Sequence, residues 1–366
     1  MVKVVYLLST LKRSGPVVVL FNVVKILDRR QIEPIIITLS PEPENSMMQQ
    51  FESLNLQIER LNLSRFQGML SAGSKVEKML KEMNPQIIHS HGFRSDSILA
   101  RSRNSAVKVT TIHNNPSVDY PLKFGYIRGS IMANLSLKSY KQIDMPISCS
   151  KSIQKELSLM GVKTGCVQNG IDTKLFKPVP DQSRNEIRTR LNLPIDKLIF
   201  IVTGSLIKRK SVDTILKALS ISGRQDILIL VIGDGPERDV LEAILVSDNR
   251  ILFLGFKDNI NEYLNCADSI ISASTSEGLP NGILEAMASG LHCILSDIPS
   301  HRELSIADNC CFFEIGNSAK IASIIDNLTL DRIRSAGEQN RGIACKLFSS
   351  EKMAREYQNI YLSHVK

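Results

Sequence analysis

Two glutamates separated by seven residues, Glu277 and Glu285 in the run SEGLPNGILEAMASG, combine residue type and spacing in a way that invites chemistry. Gly278 and Pro280 make the first half of this run a loop, and the pattern from about Asn281 predicts a helix that stops at Gly290, a normal C-terminal glycine. A loop feeding a helix N-terminus favours anions, because unpaired N–H groups and the helix dipole both attract phosphate. Glu277 then lies on the loop and Glu285 in the second helical turn. The two carboxylates can address different ends of one ligand. The plainer alternative is that acidic residues in the first turns simply complement the dipole.

The elements that must hold such a site are legible as short β-branched runs alternating with longer amphipathic stretches, the mark of βαβ units and a parallel sheet. The pattern runs twice. The expected strands of the first half are residues 3–8, 34–39, 86–90, 107–112 and 145–148; those of the second are 198–203, 227–232, 251–254, 269–273 and 292–296. Two doubly wound sheets follow. Pro178 and Pro180 mark a linker near residues 174–182, after which a short basic helix is expected before Pro194. Met353, Tyr357, Ile360 and Tyr361 recur at helical spacing near the C-terminus, and such a helix needs a surface to cover.

At 366 residues, 43% hydrophobic and 22% charged, the chain can build two cores, and disordered or collagen-like classes are excluded. No apolar run approaches the roughly 20 residues that cross a bilayer, and the apolar start is too short for a signal peptide. A cytosolic working compartment is expected. Seven cysteines without a C-x-x-C pair fit neither a disulfide framework nor a zinc site, so reduced and mostly buried thiols are expected. The formal charge of +8 is uneven: residues 1–175 hold 23 Lys and Arg against 13 Asp and Glu, leaving 22 against 24 for the rest. From Arg94 to Lys141 only Asp96 and Asp119 oppose the basic residues. An anionic partner is implied. The tract lacks the interleaved aromatics of a nucleic-acid platform, so an anionic membrane surface is the better match and nucleic acid is not expected.

The run E-G-L-P-N-G-I-L-E followed by A-M-A-S-G resembles the E-x7-E signature of the family 4 retaining glycosyltransferases. The likeness covers nearly the whole chain, taking in TIHN at 111–114, SCSKSIQKEL at 148–157, QNGID at 168–172, GSLIKRKSVD at 204–213, VIGDGPE at 231–237, FLGF at 253–256 and SHREL at 300–304. It implies the α/β GT-B fold, two doubly wound Rossmann-like parallel-sheet domains facing across a cleft. Residues 1–174 would form the acceptor-binding domain and 175–349 the nucleotide-sugar-binding domain, with a C-terminal helix over 350–366 packing back onto the first.

The resemblance also implies roles. Glu285 would bind the ribose hydroxyls, Glu277 a donor-sugar hydroxyl, and the amides of Gly278, Leu279, Pro280, Asn281 and Gly282 the donor, save that proline supplies none. Lys210 matches the family's phosphate-binding lysine, a cation that offsets the charge growing on the diphosphate as the glycosidic bond breaks. The family commonly has Arg right after Gly204; here Ser205 stands there, and Arg209 is expected to supply the charge. His113 matches a histidine that reaches the donor sugar. His89 and His91, read as pointing to opposite faces of their strand, argue against a metal pair, with His91 lining the acceptor side. Gly15 stands in the glycine-rich turn near the donor phosphates, although Ser14 and Pro16 depart from the usual double glycine and Pro16 removes an amide donor. Gly233 and Gly235 would pass close to the nucleotide base. A dinucleotide fingerprint is excluded because Arg238 replaces its third glycine. Asn169 would fix the turn into the linker or contribute to binding.

No placed nucleophile and base of the double-displacement kind is found, so retention is expected through the front-face route attributed to the family, in which the leaving diphosphate takes the acceptor's proton. With no D-x-D motif at a strand end, neither a metal nor another cofactor is expected. The expected reaction moves a hexose or N-acetylhexosamine from a nucleotide-sugar, UDP-linked, to a sugar or lipid-linked acceptor in bacterial cell-surface polysaccharide synthesis (O-antigen, capsule or lipopolysaccharide), with the enzyme peripheral on the inner face of the cytoplasmic membrane. A nucleotide-sugar 2-epimerase of the same fold and a non-catalytic binding relative are the rival readings.

Overall fold

The computed structural model describes residues 1–244, 248–306 and 308–364. It divides into two compact units, residues 1–170 with 350–366, and residues 171–349. The division falls four residues before the expected boundary at 174.

The first unit is built on a seven-stranded sheet: β1 (Val2–Leu8), β2 (Ile32–Thr38), β3 (Gln57–Arg60), β4 (Ile87–His91), β5 (Val107–Ile112), β6 (Met145–Ser148) and β7 (Gly165–Cys166), in the order β3-β2-β1-β4-β5-β6-β7. Every pairing is parallel. The second unit repeats the plan with β8 (Leu198–Thr203), β9 (Ile227–Ile232), β10 (Ile251–Gly255), β11 (Ser269–Ser272), β12 (His292–Ser296) and β13 (Cys310–Phe313), in the order β10-β9-β8-β11-β12-β13, again all parallel. Parallel strands covered on both faces carry continuous apolar runs. The run Ile227–Ile232, ILILVI, is buried at every position.

Helices cover both sheets. One core of the first unit joins Tyr6, Val23, Ile36 and Phe51 to Met353, Tyr357 and Tyr361 of the C-terminal helix Ser350–Ser363. That helix is thus part of the first unit's core; residues 365 and 366 of the expected helix lie outside the described residues. Between the sheets in sequence, the basic helix Asp181–Arg190 is fastened by Arg184 and Arg188, which both pair with the buried Asp268 at 2.9 Å. All seven cysteines are free; Cys149, Cys266, Cys293 and Cys310 are buried and Cys345 is exposed. Among the described residues no helix is long and apolar enough to cross a membrane.

Candidate active site

The C-terminal ends of β8, β9 and β11 bring three loops of the second unit together. β8 leads through Gly204 into the 3-10 turn Lys208–Lys210 and the helix Val212–Ile221. Gly233, the residue after β9, has φ +145°, and a Cβ there would stand 1.8 Å from the Gly204 carbonyl oxygen. The two turns lie this close because Gly233 carries no side chain. Gly282 at the head of the helix Asn281–Ala288 is tight for a similar reason, since its Cβ would meet Thr203 Oγ1 at 2.6 Å.

Into this junction β11 delivers Glu277. Its Oε1 accepts from Lys210 Nζ at 2.6 Å and from Ser274 Oγ at 2.8 Å, while Oε2 faces Arg209 Nη1 at 2.8 Å. Arg209 also donates to the Ser276 carbonyl, and its own carbonyl accepts from the Thr275 amide at 2.9 Å. Burial alone would raise the pKa of Glu277, but Lys210 and Arg209 outweigh it and hold the carboxyl at about 2. The glutamate is ionised at every working pH. Glu285, in the second turn of the helix, has no hydrogen-bond or ion-pair partner for its carboxyl among the described residues, and burial pushes it up to about 7. No side chain caps this helix, and its first turn holds no acid. The dipole alone therefore does not account for Glu285, which sits beyond that turn.

Behind Glu277 stands a polar column. Ser296 Oγ donates to the Ser274 carbonyl at 2.6 Å, and His301 Nδ1 lies 2.9 Å from the Ser296 carbonyl and 3.1 Å from its hydroxyl. Ser274 and Ser296 carried no signal in sequence. His301 stood in the motif SHREL without a role.

In the first unit, His113 follows β5 and is partly exposed. Its Nε2 lies 3.1 Å from His91 Nδ1, with the rings stacked at 5.4 Å. His89 Nε2 meets Thr111 Oγ1 at 2.8 Å and its Nδ1 meets the Tyr361 hydroxyl at 2.7 Å. The expectation that His89 and His91 face opposite ways is wrong. Residues two apart in a strand share a face, and these rings stack at 4.4 Å. His91 is buried, with its ring stacked on those of His89 and His113.

Residues 13–175 match the family model Glycosyltransferase Family 4, and residues 197–331 match the model Glycosyl transferases group 1. The chain belongs to glycosyltransferase family 4. The glycosyltransferase is similar to the O-antigen biosynthesis glycosyltransferase WclY of Escherichia coli, with 26% identity over 98% of this chain and 98% of WclY. It is 25% identical, over 65% of this chain and 64% of the relative, to the Escherichia coli UDP-Gal:alpha-D-GlcNAc-diphosphoundecaprenol alpha-1,3-galactosyltransferase. Its fold resembles that of Anabaena HepE, solved in complex with UDP and glucose, with a TM-score of 0.85 at 18% identity over 99% of this chain and 100% of HepE. The fold is GT-B, two Rossmann-like parallel-sheet domains.

Within the second unit of the glycosyltransferase, Glu277, Lys210 and Arg209 form one ion cluster, and Gly278, Leu279, Pro280, Asn281, Gly282 and Glu285 follow it directly in the loop and helix. Ser205 lies exposed in the turn after β8. Gly233 and Gly235 serve the packing of the two turns, since a Cβ on Gly235 would stand 2.3 Å from the Leu206 carbonyl oxygen. Gly15 and His113 belong to the first unit. Gly15 begins the helix Gly15–Ile26, whose N-cap Ser14 makes no side-chain cap. The preceding loop is fastened by Glu42, whose two carboxylate oxygens accept from the Leu11 amide at 3.1 and 2.8 Å. Glu42 was missed in sequence. Asn169 is buried, and its backbone N–H donates to the Cys149 carbonyl at 3.1 Å. Among the described residues no group of three or more His, Cys, Asp or Glu is placed to hold a metal.

Proposed function

We propose that this glycosyltransferase moves a hexose or N-acetylhexosamine from a UDP-sugar to a lipid-diphosphate-linked acceptor in the assembly of a bacterial cell-surface polysaccharide, with retention and without a metal. The observation that carries the reading is the partly buried Lys210–Glu277–Arg209 cluster at the head of a helix without a side-chain cap, which bears Glu285. Two cations beside a helix N-terminus offer the charge that a leaving diphosphate needs. Glu277 takes a sugar hydroxyl, Glu285 the ribose, and His113 donates to the transferred sugar. Gly15 is assigned to the donor phosphates.

The donor class is supported by HepE, which was solved with UDP and glucose, and by the galactosyltransferase, whose name gives a UDP-linked donor and a diphosphoundecaprenol-linked acceptor. WclY supports the setting in O-antigen synthesis. These relatives carry transferase names, which disfavours the 2-epimerase.

An anionic bilayer is proposed as the docking surface of the first unit. Ile127, Ile131 and Leu135 form a stripe at every fourth position of the helix Tyr126–Tyr140 and are 78%, 57% and 41% exposed. Tyr126 and Leu122 extend it, and Lys123 and Arg128 flank Phe124 with cations 5.3 and 5.9 Å from its ring centre. Apolar residues rimmed by Lys and Arg suit the headgroup boundary of an anionic leaflet.

A thermal-shift screen of UDP-, GDP- and ADP-sugars, followed by turnover with and without a lipid-diphosphate-linked sugar, tests the reading. A shift with a UDP-sugar and turnover that requires the acceptor are expected, because a ligand at 100 times its Kd stabilises by about 2.7 kcal/mol. Donor conversion without acceptor would instead establish an epimerase.

A further inference from the structure

We infer that His91 is a positioning residue that fixes the tautomer and ring orientation of His113, holding the proton of His113 on Nδ1. The inference rests on the role of His113 in the proposed transfer.

The geometry comes from strand register. β4 and β5 pair His89 with Val109 and His91 with Thr111, so Thr111 and His113 lie diagonally across from His89 and His91 on the same face. His89 is clasped on both sides, by Thr111 Oγ1 at 2.8 Å and the Tyr361 hydroxyl at 2.7 Å. Those partners are themselves held: Thr111 Oγ1 meets the Tyr357 hydroxyl at 2.7 Å, and Tyr361 meets the Tyr6 hydroxyl at 3.1 Å. His91 stacks on this fixed ring at 4.4 Å, and His113 stacks on His91. The column runs from the C-terminal helix to His113, the one ring of the three that is partly open to solvent.

Proton bookkeeping then assigns the bond. Burial lowers the pKa of all three rings, of His113 to about 4, so each is neutral and carries one N–H. The contact between His91 Nδ1 and His113 Nε2 consumes one of those protons. If His113 were the donor, the proton of His91 would sit on Nε2, which is buried and has no partner among the described residues. A buried N–H without an acceptor is rarer than an under-used acceptor. His91 therefore donates through Nδ1–H to Nε2 of His113, and which nitrogen of a histidine is protonated follows from the bond that the other makes. His113 is left with an Nδ1–H and no partner for it among the described residues. That is a donor fitted to a sugar hydroxyl.

The test is a 15N-resolved imidazole spectrum of the full chain with donor-free enzyme, alongside kinetics of His91→Phe, which keeps an aromatic ring but no nitrogen, and His91→Asn, whose amide can place a donor near the former Nδ1. Wild type is expected to show His113 protonated at Nδ1 with a pyridine-like Nε2. His91→Phe should shift His113 toward the Nε2–H form and lower kcat by about tenfold, the worth of one hydrogen bond, with the donor KM nearly unchanged; His91→Asn should recover part of kcat. An Nε2–H tautomer in wild type overturns the inference, as does an unchanged His113 spectrum in His91→Phe. Should that variant not fold, the wild-type spectrum alone decides. Failure of the underlying role reads differently: His113→Ala would then transfer at the wild-type rate whatever its tautomer in wild type.

Discussion

Burial acts alike on Glu277 and Glu285, yet two cations reverse its effect on the first and, among the described residues, none does so at the second. For Glu285 the carboxyl stands at about 7 against an ordinary 4.5, so the folded state holds the proton more tightly than the unfolded chain. The stability this contributes is whole below about pH 4.5 and is lost as pH rises through 7. Glu285→Gln cannot ionise and escapes that loss. It should melt above wild type at pH 8 and by a smaller margin at pH 5; an equal margin at both would show that burial does not govern the group. Glu277 makes the opposite case, since its carboxylate occupies Lys210 and Arg209, the cations proposed for the diphosphate. Glu277→Gln should bind UDP several-fold more tightly by calorimetry, and weaker binding would mean that the glutamate organises those cations rather than competing for them. In the sequence, Glu277 and Glu285 were singled out by their loop and helix placement, and Lys210 by the family resemblance. The Arg209–Glu277 pair joins residues far apart in the chain, and nothing in local spacing reports such a contact.

Among the elements, β5, β6, β8, β9 and β12 fall at the expected residues, and in β5, β8 and β9 the signal is a dense β-branched run of the kind parallel strands carry. β3, β7 and β13 were not foreseen. Gln57–Arg60 alternates without a dominant apolar face, Gly165–Cys166 is two residues long, and Cys310–Phe313 is short; all three are terminal strands of their sheets, held by one neighbour. The shared face of His89 and His91 follows from the strand period and was misassigned in the sequence reading, which hid the stacked column. The packing of the turns after β8 and β9 yields its own test. Gly233→Ala brings Cβ to 1.8 Å from the Gly204 carbonyl at φ +145° and should cost about 2 kcal/mol or more in denaturant unfolding. Gly223→Ala, with nothing within 4 Å, is the neutral control. Equal losses in both would show that the Gly204–Gly233 approach is not a constraint.

For the whole molecule, the excess positive charge of residues 1–175 and the apolar stripe of the helix Tyr126–Tyr140 belong to the same unit. The charge was legible from composition. The stripe was not, because Ile127, Ile131 and Leu135 read equally well as a buried helical face until the neighbouring elements show that Gly129, Ala133 and Ser136 take the inner side. Co-sedimentation with anionic vesicles should weaken as salt rises and should fall further in Ile127→Asp/Ile131→Asp. Binding that is absent, or indifferent to both changes, would remove the membrane from the proposal.

The central claim is that the cluster around Glu277 performs sugar transfer, and it is tested most directly by the rate at which Glu277→Gln transfers sugar from a UDP-sugar to a lipid-diphosphate-linked acceptor, compared with wild type at matched folding. A loss of about 100-fold or more is expected, the scale on which removal of one transition-state contact is felt; full transfer by the variant would contradict the assignment.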